Sequence, residues 1–184
     1  MASGGDVLVV GGTGMLGGQV VSELLARGKR VRALVRPTSD AKRLEQAGVE
    51  IARGDMMDPV SLLHAMEGAD AVISTAAGYT RHSKGDTDEI DRIGNRNLAD
   101  AASQAGVRRF VLTSILTCDQ TPQVPHFWHK KLAEDRLEEL GVQCIPRHDQ
   151  MGRDECVPPV KRLALLRLYC VATELSVLFT NVFA

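Results

Sequence analysis

Short apolar runs alternate along this chain with longer amphipathic stretches. Residues 7–10, Val-Leu-Val-Val, are apolar without a break, as in a parallel strand buried on both faces. Glycines follow. Residues 14–27 then place Leu16, Val20 and Leu24 at helical spacing, and Gly28 ends the run. Residues 31–35 predict a second strand, 40–47 a short helix closed by Gly48, and 49–52 a third strand. Asp58 caps a helix through residue 66, with Pro59 at its first position, where a missing N–H costs nothing. Residues 71–74 predict the fourth strand, 88–104 a long helix stopped by Gly106, and 109–113 the fifth strand. A helix over 129–140, stopped by Gly141, and a sixth strand over 142–145 complete the series.

Such alternation implies right-handed crossovers and a parallel sheet with helices on both faces. The expected fold is α/β: a doubly wound parallel sheet, the Rossmann fold, with strand order 3-2-1-4-5-6. At 184 residues the chain is about one domain. That domain is expected over residues 1–147. Residues 148–184 are expected to be a divergent or truncated C-terminal segment, with no separate substrate domain. Within it, 157–184 is nearly all apolar, with Lys161, Arg162, Arg167 and Glu174 as its charges. A membrane span would bury Arg167 and Glu174 at about 2.5–3.5 kcal/mol each. The segment therefore reads as buried or self-associating rather than spanning.

Composition narrows the function classes. Charged residues make up 24% and the formal net charge is -1, so no global field favours nucleic acid or a membrane surface. Aromatic residues are 4%, which offers little for base stacking. Cys118, Cys144, Cys156 and Cys170 have neither the density of a disulfide scaffold nor the spacing of a metal site. No metal is expected. The opening residues lack a basic segment followed by a long apolar one, so a cytoplasmic protein with reduced thiols is expected.

The glycines after the first strand carry the chemistry. They are spaced Gly11-x-x-Gly14-x-x-Gly17 between a strand and a helix. In that context the backbone can approach a dinucleotide pyrophosphate and face it with the positive end of the helix. Thr13, Met15 and Leu16 belong to the same turn. NAD-binding sheets place an acidic residue at the end of the second strand to hold the ribose hydroxyls. Arg36 stands there instead, followed by Thr38 and Ser39. A guanidinium attracts a 2′-phosphate, so NADP(H) is expected in preference to NAD(H). After the third strand, Asp55 could accept the adenine amino group, and Met56 or Met57 could pack on the ring. Asp is equally a default turn residue. After the fourth strand, Thr75, Ala76 and Ala77 are small enough for a cofactor to lie close to the backbone.

Together these phrases resemble a family. The run Gly11-Gly12-Thr13-Gly14-Met15-Leu16-Gly17, Arg36, Gly54-Asp55, the segment Asn97-Leu98-Ala99-Asp100-Ala101-Ala102, the segment Gly106-Val107-Arg108-Arg109-Phe110-Val111, and Lys130 with Glu134 and Leu137 are similar to the NmrA-like atypical short-chain dehydrogenase/reductases. The resemblance covers about residues 5–147. It implies NADP(H) binding, in a group that holds both reductases and non-catalytic redox sensors. It also implies a Tyr-x-x-x-Lys pair, in which the tyrosine is the acid/base and the lysine holds the nicotinamide ribose. Lys130 matches the lysine. His126 stands in the tyrosine's place, and Tyr79 and Tyr169 lie elsewhere. Thr113 and Ser114 match the hydroxyls beside the nicotinamide. Where the family continues with Arg-Pro-Gly, Arg147 is followed by His148 and Asp149. That break reads as a divergent end or an altered reading frame.

Three functions remain open at this level. The first is an NADP-dependent reductase acting on a small carbonyl or quinone-type substrate, with Lys130, Ser114 and His126 in the catalytic positions. The second is a non-catalytic regulator that senses NADP redox state and binds a protein partner. The third is a product that retains cofactor binding alone.

Overall fold

The computed structural model describes residues 6–78, 87–115 and 118–142, together with the backbone of 164–166. β1 (Asp6–Val10) leads through α1 (Met15–Ala26) to β2 (Val31–Val35). α2 (Lys42–Gln46) joins it to β3 (Glu50–Arg53), and α3 (Pro59–Met66) joins β3 to β4 (Ala69–Ser74). A π-helical segment, Thr87–Gly94, runs into α4 (Asn95–Gln104), which leads to β5 (Arg109–Thr113). A 3-10 turn at Cys118–Gln120 precedes α5 (Pro125–Glu139), and β6 is Ala164–Leu166.

The strands form a six-stranded sheet in the order β3-β2-β1-β4-β5-β6. Every pairing is parallel. At the centre, Val9 lies opposite Ala33 of β2 and Ile73 of β4. The doubly wound architecture expected from the alternation is the one observed.

Three elements differ from the pattern. The sixth position in the sheet is filled by Ala164–Leu166, with Val111 opposite Ala164. Val142, where the sixth strand was expected to begin, instead closes the end of α5. The Gly141 N–H donates to Glu138 O at 3.0 Å and the Val142 N–H to Leu137 O at 3.2 Å. This is a left-handed helix stop, and Gly141 has the positive φ of 62° that it requires. Residues 143–145 lie outside the described residues. Second, α5 begins at Pro125 rather than 129, because Pro125 takes the first helical position after an extended Val124. His126 is therefore inside the helix. Third, the long helix over 88–104 is wound as π through Gly94 before it becomes α.

The core has two halves, one on each face of the sheet. Successive strand residues point to opposite faces. Leu8 and Val10, with Val72, Phe110 and Leu112, pack against Leu62, Leu98, Ala133 and Leu137 from α3, α4 and α5. Val7 and Val9, with Ala33, Ile73 and Val111, pack against Val20, Val21 and Leu24 of α1 and Leu44 of α2. Asp58 caps α3 as its sequence suggested, its Oδ1 accepting from the Val60 N–H at 3.1 Å. No helix among the described residues is long and apolar enough to cross a membrane.

Leu98 is fully buried in the first of these halves. Leu98→Ala is expected to cost about 2–5 kcal/mol, read from the urea denaturation midpoint. A loss well under 1 kcal/mol would mean that α4 does not depend on this contact.

Candidate functional site

The expected binding residues follow the C-terminal ends of β1 to β5, and Lys130 and His126 lie on α5. The C-terminal edge is where ligands sit on open parallel sheets. The turn after β1 begins at Gly11, whose φ of 87° belongs to the left-handed region. The Gly14 N–H donates to Gly11 O at 2.9 Å and closes the turn. Gly17 is the third residue of α1. A Cβ there would come within 2.1 Å of Gly11 O and 2.8 Å of Thr75 Oγ1. Only glycine lets α1 start this close to β1 and to the end of β4.

That close start leaves the helix end open. Gly14 is the N-cap of α1, no side chain caps it, and no acidic residue lies in the first turn. Thr13, Gly14 and Met15 are exposed, Leu16 is half-buried and Gly17 is buried. Unpaired N–H groups and the positive helix end thus face outward above the sheet. The cradle that a Cβ would fill and the uncapped helix end fit a dinucleotide pyrophosphate.

β4 supplies the neighbouring wall. The Thr75 N–H and Oγ1 both donate to Val10 O, at 2.9 and 3.1 Å, and lock the ends of β1 and β4 together. Ala76 and Ala77 follow, half-buried and small. At the end of β2, Arg36 is exposed. Its carbonyl accepts from the Ser39 N–H at 3.0 Å and from Arg53 Nη1 at 3.2 Å.

Beyond β3, Asp55 holds a turn. Its Oδ1 accepts from the Met57 N–H at 2.9 Å, and its carbonyl accepts from the Asp58 N–H at 3.0 Å. Met56 is a core residue in contact range of Gly94. Met57, 41% exposed, is the member of the pair that reaches the surface.

Lys130 is not a solvated lysine. It is 2% exposed, and its Nζ donates to Ala76 O at 2.9 Å. The same Nζ lies 3.0 Å from Asp91 Oδ1, an ion pair whose alignment falls short of a hydrogen bond. Asp91 Oδ2 accepts from the Gly78 N–H at 3.0 Å. Asn95, one turn on, donates to Asp91 O at 3.2 Å and accepts from Ser74 Oγ at 3.2 Å. The chain after β4 is thus fastened to the π segment and to α5 through buried polar groups. Ser74, Asp91 and Asn95 were not singled out in the sequence. The signal was available: Asp91, Asn95, Leu98 and Ala102 form one helical stripe, and two polar residues on an apolar stripe need buried partners.

His126 and Lys130 are both on α5, one helical turn apart, the spacing that puts them on one face. The His126 ring meets Phe127 edge-to-face at 4.7 Å. Ser114 is buried just past β5, with its Oγ 4.0 Å from Cys118 Sγ. Cys118 in turn donates to the buried Glu134 at 3.6 Å. Tyr79 and Tyr169 lie outside the described residues. On the outer face of the π segment, Asp88 pairs with Arg92, and its carboxylate lies 3.7 Å from His129 Nε2. The Arg92 hydrogen bond holds the Asp88 carboxyl below its ordinary value, with the charges of Arg92 and His129 adding to the shift. No cluster of metal-ligating side chains occurs among the described residues.

A family model described as NAD(P)H-binding matches residues 11–142. The chain belongs to this NAD(P)H-binding family, with a Rossmann-type fold. It is 39% identical over 136 residues to the photosystem II assembly factor Ycf39 of Synechocystis, which covers 74% of this chain and 41% of the relative. It is 35% identical over 141 residues to the 2-alkyl-3-oxoalkanoate reductase of Stenotrophomonas maltophilia, across 76% of this chain and 39% of that protein. Among solved structures, it matches the Citrobacter triphenylmethane reductase complexed with NADP(H) at a TM-score of 0.62 and 26% identity. That match covers 73% of this chain and 46% of the reductase. The chain thus spans less than half the length of each.

The glycine cradle yields a direct test. Gly17→Ala is expected to weaken NADP(H) binding at least about tenfold in a calorimetric titration, because the added methyl overlaps Gly11 O. Unchanged affinity would mean that the turn does not set the site.

Proposed function

We propose that this chain is an NADP(H)-dependent reductase-like protein of the NmrA-like short-chain dehydrogenase/reductase kind, acting in the cytoplasm on a small carbonyl or quinone-type substrate. The observation that carries this reading is Lys130, a buried cation fixed to the carbonyl of Ala76 at the sheet edge where the glycine turn opens. Bound NADPH supplies the hydride.

The rest of the site follows from the residues. Gly11, Gly14 and Gly17, with the start of α1, hold the pyrophosphate. Arg36 faces the 2′-phosphate, with Thr38 and Ser39 as hydroxyl donors. Asp55 keeps a carboxylate oxygen for the adenine amino group while the other shapes its turn. Thr75, Ala76 and Ala77 line the path to the nicotinamide. Lys130 holds the ribose. Ser114 orients the substrate oxygen, and His126, in the tyrosine's place, donates a proton to it. An imidazole ring nitrogen can carry and give up a proton, as a phenol oxygen can.

A second reading rests on His126 itself. Its ring packs on Phe127 in the first turn of α5, and imidazole is shorter than a phenol. If the proton donor does not reach the site, the chain binds NADP(H) without turnover and acts as a regulator through a protein partner. The apolar stretch over 157–184 then suits self-association.

Two measurements separate these readings. Arg36→Asp is expected to lower the NADP/NAD affinity ratio about 10–100-fold; an unchanged ratio removes the NADP assignment. Oxidation of NADPH with a panel of quinones, aldehydes and enones tests catalysis. Turnover that disappears in Lys130→Met, with NADP(H) still bound and the fold intact by circular dichroism, supports the reductase. Tight binding without turnover for every substrate supports the regulator.

A further inference from the structure

Arg53 has no part in the site as built so far, yet it is tied to it. β2 and β3 run parallel with Val35 opposite Arg53. This register sets Arg53 level with the last residue before Arg36. Its Nη1 donates to two carbonyls of one turn: Arg36 O at 3.2 Å and Ser39 O at 2.9 Å. The Ser39 N–H donates across the same turn to Arg36 O at 3.0 Å. The four residues from 36 to 39 are thereby closed at both ends, and Pro37 fixes φ between them. Glu45 of α2 lies 3.7 Å from Arg53 Nη2.

We infer that Arg53 is a positioning residue for NADP selectivity: it clamps the 36–39 turn so that Arg36, Thr38 and Ser39 present their donors together to the 2′-phosphate. The inference rests on the NADP(H) reading above. The physical ground is geometric. Arg53 is 44% exposed, and a charge that open to water acts weakly through space. Its planar guanidinium, however, fixes the directions of the two N–H groups of Nη1, and these reach the two carbonyls. Two backbone carbonyls held by one nitrogen remove the freedom of the turn between them. A turn ordered beforehand loses less entropy when a phosphate binds. Arg53 therefore acts through Arg36 and its neighbours and leaves the nicotinamide half of the site untouched.

The test compares NADP+ and NAD+ binding to the whole chain by calorimetry, in the wild type and in Arg53→Met and Arg53→Lys, with the thermal midpoint of each recorded. In Arg53→Met the NADP+ affinity is expected to fall about tenfold while the NAD+ affinity stays within about twofold. Arg53→Lys, which keeps the charge but lacks the planar group that fixes the donor directions, is expected to recover less than half of that loss. Equal weakening of both cofactors would make Arg53 a general structural residue and overturn the inference. So would full recovery in Arg53→Lys, which would assign the effect to charge alone, or unchanged NADP+ binding in both variants. If the wild type itself binds NAD+ as well as NADP+, the NADP reading fails first and takes this inference with it. Should Arg53→Met not fold, Arg53→Lys carries the test, with an NADP-selective loss of at least threefold expected.

Discussion

The approach of α1 to the turn after β1 governs the geometry of everything above the sheet. At Gly17 there is no space for a side chain between the helix and Gly11 O. Because the helix starts so close, its uncapped N-terminus comes to the C-terminal edge of the sheet. Thr75 completes the constraint by giving two hydrogen bonds to the carbonyl of Val10. The ends of β1 and β4 therefore cannot part, and the turn, the helix end and the loop after β4 form one wall. Val7 and Val9 on one face and Leu8 and Val10 on the other anchor that wall to both halves of the core.

A second constraint lies under the loop after β4. Asp91 and Lys130 are taken out of water together, and such a pair adds little net stability over an apolar alternative of similar shape. Its effect is geometric. Lys130 binds Ala76 O and Asp91 binds the Gly78 N–H, so one ion pair fixes both ends of a three-residue stretch. Asn95 and Ser74 satisfy further buried polar groups and carry the network back to β4. The π winding of Thr87–Gly94 immediately precedes Asn95. Such winding occurs often at functional sites, and here it contributes the carboxylate that meets Lys130.

What the sequence revealed followed the range of the interactions. The five strands through residue 113 were legible because each is a short local run; four of them are largely buried, and β3 lies at the sheet edge with Glu50 and Arg53 exposed. The helix stops at Gly28 and Gly141 were legible because a left-handed stop is set by neighbouring residues. The glycine turn and Arg36 could be placed for the same reason: their meaning depends on the adjoining strand and helix. The buried face of α5 was not legible as buried. Its stripe is Lys130, Ala133, Glu134 and Leu137, and two charges on four positions read as a solvated surface. Only partners on other elements reverse that reading. Met56 and Met57 show the same limit on a smaller scale, since a turn decides which of two adjacent methionines faces the core. The sixth strand followed neither pattern, because the Gly141 stop uses Val142 and the sheet edge takes its strand from farther along the chain.

The positions of these groups also separate binding from chemistry. The glycine cradle and the Arg36 turn depend on β1, β2, β3 and α1. The groups that could move a proton depend on β5 and α5. Lys130 joins the two sets, because its ammonium is bound to the loop after β4 while its backbone is in α5. A change on α5 at position 126, where the resemblance implies a tyrosine and His126 stands instead, therefore leaves the glycine cradle mechanically intact. One turn of α5 separates His126 from Lys130. The helix can lose its acid at one end of that turn and still keep, at the other, the cation that orders the loop against which a dinucleotide would lie.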